Sequence, residues 1–136
     1  MNEEELNAKF SEYESKIIQL QQQIGEIEKA LYDMNFIKEG LTEIKGKVND
    51  EIFAPIGRGI FVKSKLCSEK VLVDIGEGSF VEKSIEETKE IIEKQKNEFT
   101  KIQNFLNEEL MKINNEINNL MKRFQEEKEN KIKSSP

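Results

Sequence analysis

Histidine and tryptophan are absent from this sequence, and cysteine occurs once. Each absence removes a class of function. Without histidine the chain lacks the commonest general base and the commonest metal ligand. The lone Cys67 can close no internal disulfide and build no thiolate cluster, and one unpaired thiol suits a reducing cytoplasm. No apolar run approaches the ~20 residues that span a bilayer. The acidic start, Met1-Asn2-Glu3-Glu4-Glu5, has no apolar signal core. A soluble, cytoplasmic protein without a membrane partner is expected. Excess positive charge is missing too. A net charge of -6 and a pI near 5.0 argue against gripping nucleic acid, which needs clustered Lys and Arg.

What is present does not describe an ordinary globule. Of 136 residues, 35% are charged and 36% hydrophobic, with a mean hydropathy of -0.67. A compact core needs more apolar material. A coiled coil buries only a seam, so its periodicity is the feature to look for.

The sequence divides into blocks: a first helix over 3–48, a strand-rich insert over 49–83, a second helix over 84–131 and a disordered tail over 132–136. In the first helix the seam reads Leu6, Phe10, Tyr13, Ile17, Leu20, Ile24, Ile27, Leu31, Met34. The steps alternate four and three, the 3.5-residue repeat of a left-handed supercoil. The seam then resets through Ile37, Leu41, Ile44 and Val48, which implies a stammer. The second helix opens on Ser84 and Glu87, a capping box. Its seam reads Ile85, Ile92, Phe99, Ile102, Leu106, Leu110, Ile113, Ile117, Leu120, Phe124. The four-plus-four step through Ile102, Leu106 and Leu110 implies a stutter. Both helices come to ~40 residues, or ~60 Å. The matched lengths favour antiparallel pairing, with Val48 near Ile85 and the Leu6 end near Phe124.

The insert reads as four short strands. Residues 60–66 and 71–75 flank Cys67-Ser68-Glu69-Lys70 as a central hairpin, with shorter strands at 51–54 and 79–82. Ile60, Val62 and Leu66 share one face, as do Val71, Val73 and Ile75. A piece this small cannot cover its own faces and edges, so it implies oligomerisation.

Few residues suggest chemistry. Gly57-Arg58-Gly59 and Gly76-Glu77-Gly78 lie between strands, whereas a phosphate loop must open a helix. They read as tight turns needing positive φ. The carboxylates lie among lysines on helix faces, as in Glu12/Lys16 and Glu90/Lys94. No enzyme, metal or cofactor is expected. The open end of the paired helices is more informative. Leu6, Phe10, Tyr13, Ile117, Leu120, Met121 and Phe124 lie there, and partly exposed apolar groups suit weak capture of non-native chains.

The run from Ala54 to Lys63, then Glu69 to Gly78, then Val81 to Ser84 resembles the central region of archaeal prefoldin alpha subunits. The order helix, two β-hairpins, helix fits that class. The resemblance implies a mainly α fold: a long antiparallel coiled-coil hairpin with two small β-hairpins that complete an intersubunit β-barrel. It implies an ATP-independent chaperone, a hexamer of two alpha and four prefoldin beta subunits, that captures unfolded clients and delivers them to a group II chaperonin. Carried over residue by residue, it assigns the end residues above to clients, and Phe53, Ile60, Val62, Val71, Val73, Ile75 and Val81 to subunit assembly. Two alternatives stand beside it: a filament-forming gamma-prefoldin-like chaperone, and a structural coiled-coil spacer without client binding.

Overall fold

The computed structural model of the chain describes residues 2–133. Helix α1 runs over Glu3–Ile44, followed by strands β1 (Glu51–Gly57), β2 (Ile60–Lys65), β3 (Val71–Asp74) and β4 (Phe80–Lys83), then helix α2 over Ile85–Lys133. Residues 134–136, the end of the expected tail, lie outside those described, and α2 continues through Ile132 and Lys133.

Both helices begin on identifiable caps. The Glu5 N–H donates to Asn2 Oδ1 at 2.8 Å, and Glu3, Glu4 and Glu5 place negative charge against the helix N-terminus. At α2 the Glu87 N–H donates to the Ser84 hydroxyl at 3.0 Å, and that hydroxyl donates back to the Glu87 carboxylate at 3.1 Å. The expected Ser84/Glu87 partnership is therefore present. Thr88 is buried, and its hydroxyl donates to the Ser84 carbonyl at 2.7 Å. Helix α1 stops at Ile44, short of the expected 48. Gly46 takes a left-handed φ of 77° and Asn49 one of 73°, and two such residues end the helical path.

The chain forms two compact units. The first holds α1 up to Lys29 and α2 from Thr100 onward. Here the helices run antiparallel: Leu6 shares a groove with Leu120 and Phe124, and Leu20 shares one with Ile113. Leu6, Tyr13, Leu106 and Ile113 are buried, and Phe10, Ile17, Leu20, Ile24, Leu110, Ile117, Leu120 and Phe124 are half-buried. In this register Leu6 is level with Phe124, Phe10 with Leu120, Tyr13 with Ile117 and Ile24 with Leu106.

The seam of α2 differs from its expected course at one point. Ile102 is 44% exposed, while Leu106 is 8% exposed and Gln103 is half-buried. The buried line therefore passes Phe99, Gln103, Leu106, Leu110 and Ile113, in steps of four and three. No stutter is needed. Helical phase overrides the preference for an isoleucine, and a glutamine takes the seam position.

The second unit spans Ala30–Phe99: the end of α1, the strands and the start of α2. Leu41 and Ile85 are buried in it. Lys38 Nζ lies 3.4 Å from Glu93 Oε2, and Lys45 Nζ lies 3.2 Å from Glu86 Oε1. These cross-helix pairs fix an antiparallel register. The expected stammer is absent as well. Leu41 follows Met34 by one whole heptad, Ile37 is exposed, and Val48 lies exposed beyond the helix end. Lys45 holds the Glu86 carboxyl below its ordinary pKa, first by its hydrogen bond and then by its charge, with a smaller contribution from Lys89. A lowered carboxylate pKa favours the folded state above the ordinary Glu range, and that contribution fades as pH falls through the folded value.

The strands pair differently from the expected central hairpin. β1 pairs with β2 and β3 with β4, both antiparallel, as two separate two-stranded sheets. Cys67-Ser68-Glu69-Lys70 is the link between the hairpins. It is fastened by the Ser68 hydroxyl, which accepts from the Lys70 N–H at 3.0 Å, and by Glu69, which accepts from the Gly46 N–H. The turns sit instead at the two Gly-x-Gly sites. Arg58 and Gly59 have φ of 47° and 80°, and Glu77 and Gly78 have 48° and 79°. Two consecutive positive φ values define the type I′ turn, whose twist matches that of paired strands. The positive φ expected for these glycines is present.

Two stability outcomes follow from this geometry. Leu106→Ala should cost about 2–5 kcal/mol, as buried Leu-to-Ala changes do. Ile102→Ala should stay within about 0.5 kcal/mol, as exposed changes do. Urea unfolding followed by circular dichroism separates them, and equal losses would contradict this seam. In the β1–β2 turn, Gly59→Ala should cost about 1 kcal/mol because alanine resists positive φ, while Arg58→Asn should gain a few tenths. Amide hydrogen exchange of the Ile52 and Val62 strands reads both effects.

Candidate functional site

Two regions hold the residues singled out from the sequence. The first is the far seam of the first unit. Leu6 and Tyr13 are buried there, and Phe10, Ile117, Leu120 and Phe124 are half-buried. Leu6, Leu120 and Phe124 line one groove together with Arg123 and Glu127. Tyr13 and Leu120 line another with Lys9, Glu116, Asn119 and Arg123. The Lys9 ammonium lies 5.9 Å from the centre of the Tyr13 ring, within cation–π range. Met121 stands outside these grooves, exposed. The structure thus gathers six of the seven residues along the seam and turns Met121 outward.

Other apolar groups of this unit are more exposed than the six. Ile18, Phe105, Met111 and Ile132 all face solvent. Seam-reading passed them over because they fall outside the 3.5-residue repeat. The available signal was their position itself: an apolar side chain just beyond a seam residue, as Ile18 is to Ile17, has no partner on its own helix pair.

The second region is the pair of β-hairpins. Register places Val62 opposite Ala54 and Phe53 opposite Lys63, so Ile60 and Val62 share a face while Phe53 lies on the reverse. In the other sheet Val73 is opposite Val81 and Val71 opposite Lys83, which brings Val71, Val73 and Val81 onto one face. Ile75 lies just past β3, where its N–H donates to the Ser79 carbonyl at 2.9 Å. Phe53, Ile60, Val62, Ile75 and Val81 are exposed, and Val71 and Val73 are half-buried.

The opposite faces also carry large apolar groups, among Lys63, Asp74 and Glu82. Phe61 joins Phe53, and Leu72 joins Phe80, all exposed. Reading one face per strand missed these three, Phe61, Leu72 and Phe80. Near-continuous apolar runs such as Ile60-Phe61-Val62 and Val71-Leu72-Val73 are the signal of a strand meant to be covered on both sides. Each two-stranded sheet also leaves both edges unpaired. An isolated hairpin of this size is marginal in water, so the arrangement calls for added strands or packed surfaces.

What these regions offer chemically is exposed and half-buried apolar surface. Among the described residues no group of three or more Cys, Asp or Glu is placed to hold a metal ion. Cys67 is exposed in the link between hairpins. Among the described residues no helix is long and apolar enough to cross a membrane.

Comparison with known proteins agrees with this geometry. The family model described as prefoldin subunit matches residues 13–130. Prefoldin subunit alpha of Methanobrevibacter smithii is 32% identical over 80 residues, covering 58% of this chain and 55% of that protein. Prefoldin subunit alpha 1 of Thermococcus kodakarensis is 37% identical over 65 residues, covering 46% and 44%. The chain thus spans about half the length of the curated relatives it matches. Among solved structures, filamentous PFD from Methanocaldococcus jannaschii superposes with a TM-score of 0.75 at 20% identity, covering 86% of this chain and 98% of that one. With the family match spanning most of α1, both β-hairpins and nearly all of α2, this chain belongs to the prefoldin subunit family.

Proposed function

We propose that the chain is an alpha-type prefoldin subunit acting as an ATP-independent holdase. The observation that carries this reading is apolar exposure on both faces of two unpaired β-hairpins in a chain of this family. The hairpins are the assembly region: Ile60, Val62, Val71, Val73 and Val81, with Phe53 and Ile75, are covered by strands of other subunits. The partners are beta-type prefoldin subunits, in a hexamer of two alpha and four beta. The far ends of the paired helices, around Leu6, Phe10, Tyr13, Ile117, Leu120, Met121 and Phe124, hold unfolded proteins and pass them to a group II chaperonin in the cytoplasm. Helix ends of this kind bind weakly and reversibly, which suits capture and release without nucleotide.

A second reading draws on the filamentous structural neighbour. There the hairpins of identical copies would cover one another and the chain would polymerise when alone. Both readings use the same apolar faces and differ in the partner.

The test combines mass and activity. Mixed with a beta-type subunit, the chain should give a discrete hexamer by native mass spectrometry and suppress aggregation of a denatured test protein without ATP. A well-formed hexamer that gives no protection would overturn the holdase reading. A ladder of very large species from the chain alone would favour the filament. Val62→Glu with Val73→Glu should abolish either assembly while far-ultraviolet circular dichroism keeps its helical signal, because a charge buried between sheets lacks a partner.

A further inference from the structure

The paired helices of the first unit have two flanks beside the seam, and the flanks differ in charge. With Leu106, Leu110, Ile113, Ile117, Leu120 and Phe124 in the seam, the remaining positions of α2 are assigned by helical phase. One flank carries Glu109, Lys112, Glu116, Arg123 and Glu126. On α1 that flank continues with Glu5, Lys9, Glu12, Lys16 and Glu26. It is bound up in ion pairs, Glu12 with Lys16 at 3.5 Å and Glu109 with Lys112 at 3.3 Å.

The other flank is nearly free of charge between its ends, where Glu4 on α1 and Lys128 on α2 fall in the same phase. Along α2 it runs Asn107, Met111, Asn114, Asn118, Met121, Gln125, without an ionisable group. Along α1 it runs Asn7, Ser11, Glu14, Ile18, Gln21, Gly25, where Glu14 is the charge. In a chain that is 35% charged this segregation is pronounced. Three apolar side chains stand out on it: Ile18 at 58% exposure, Met111 at 65% and Met121 at 54%. Ile18 and Met111 lie nearly level, and Met121 lies about 15 Å further along the helix.

We infer that, within this far region of the paired helices, the charge-poor flank beside the seam makes the direct contact with the client, and that its occupant is an extended, uncharged stretch of unfolded polypeptide. This rests on the holdase reading and specifies its site. Charge decides against a folded, charged partner, because between Asn7 and Gly25 and between Asn107 and Gln125 the flank offers Glu14 alone to match one. Area decides against a second copy. Fully burying one such side chain removes roughly 100 Å² of apolar surface. Three supply about 300 Å², below the roughly 450 Å² that is the apolar share of the ~800 Å² per partner in a standard stable interface. An unfolded chain supplies what the flank can use. Its backbone N–H and C=O groups pair with Asn and Gln amides, which both donate and accept. Its apolar side chains meet methionines, whose unbranched thioethers adapt to many shapes. The half-buried seam residues are already spent on holding the helices together.

The test uses the assembled protein with its beta-type partner. Asn107, Asn114 and Asn118 are all exposed, so the triple change to Glu leaves the seam intact. A control installs the same three charges on the opposite flank, as Gln19→Glu, Gln23→Glu and Asn119→Glu. A milder variant, Ile18→Gln with Met111→Gln and Met121→Gln, removes the apolar groups without adding charge. The probe is a fluorescently labelled globular protein, reduced and carboxamidomethylated so that it cannot fold. Binding is read by anisotropy and assembly by sedimentation velocity. The Asn variant should weaken binding about tenfold, the Gln variant severalfold, and the control less than twofold, with sedimentation unchanged, because unmatched charge is costly to cover. If both Glu variants bind alike, or the flank variants bind as tightly as wild type, this site assignment fails and the holdase reading stands. If wild type does not bind the probe, both fall. A change in sedimentation instead would make the flank a contact between copies.

Discussion

A seam one side chain wide holds the two helices together. Every other feature of the chain answers to that constraint. Two paired helices bury a stripe rather than a core, and among the described residues no large side chain is fully buried. The apolar demand is therefore small. A sequence that is 36% hydrophobic can meet it and still place charge on most of its surface. The same economy leaves little tolerance for error, since each buried position such as Leu106 or Ile113 has few neighbours to share a loss with.

The hairpins obey the opposite logic. A two-stranded sheet is covered only in part by its own chain, yet Phe53, Ile60, Phe61, Leu72 and Phe80 load its faces with exposed apolar groups. In water that is a liability, through aggregation and through strand pairing at open edges. The arrangement becomes favourable only when other surfaces cover it, so the strands are costly alone and useful in company. The duplicated turns fit this role. Ile56-Gly57-Arg58-Gly59 and Ile75-Gly76-Glu77-Gly78 fold into the same backbone shape with opposite charge at the tip. The turn fixes the twist of each hairpin, leaving the side chains free to serve recognition.

The seam of α1 was legible in full from Leu6 to Met34, because its alternation of four and three is unbroken and every seam residue there is apolar. The α2 seam was legible except where a polar residue occupies it. Pattern-reading prefers Ile102 to Gln103, whereas the helix keeps its phase and buries part of the glutamine. The strands were legible and their pairing was not. Cys67-Ser68-Glu69-Lys70 has the composition of a turn between the two strongest strands, but composition does not report φ. The I′ turns at Arg58-Gly59 and Glu77-Gly78 close shorter loops with matching twist, and local closure wins. Of the candidate site, the positions along the chain were readable. Their exposure was not, because it depends on what the opposing helix covers: Leu6 and Met121 look equally apolar in sequence, yet one is buried and the other faces solvent.

The polar seam residues that disturbed the reading divide the work between the two units. In the first unit the layers from Leu6 and Phe124 to Ile24 and Leu106 are apolar on both sides. Such layers supply most of the attraction, but an unbroken apolar stripe can slip by a heptad at little cost. In the second unit lysines enter the seam and its margin. Lys89 and Lys96 are half-buried on α2, and Lys38 and Lys45 reach across to Glu93 and Glu86. A lysine there gives up hydrophobic burial while its stem still packs and its ammonium reaches water or a carboxylate. These exposed pairs are worth little as attraction. They favour one register by a single pair: Lys38 and Lys45 lie seven residues apart, as do Glu86 and Glu93, so a heptad slip re-forms one pair, Lys45 with Glu93 or Lys38 with Glu86, and loses the other. Polar seam positions in coiled coils trade stability for register in this way. The apolar layers make the helices associate, and the lysine layers favour the register in which both pairs form.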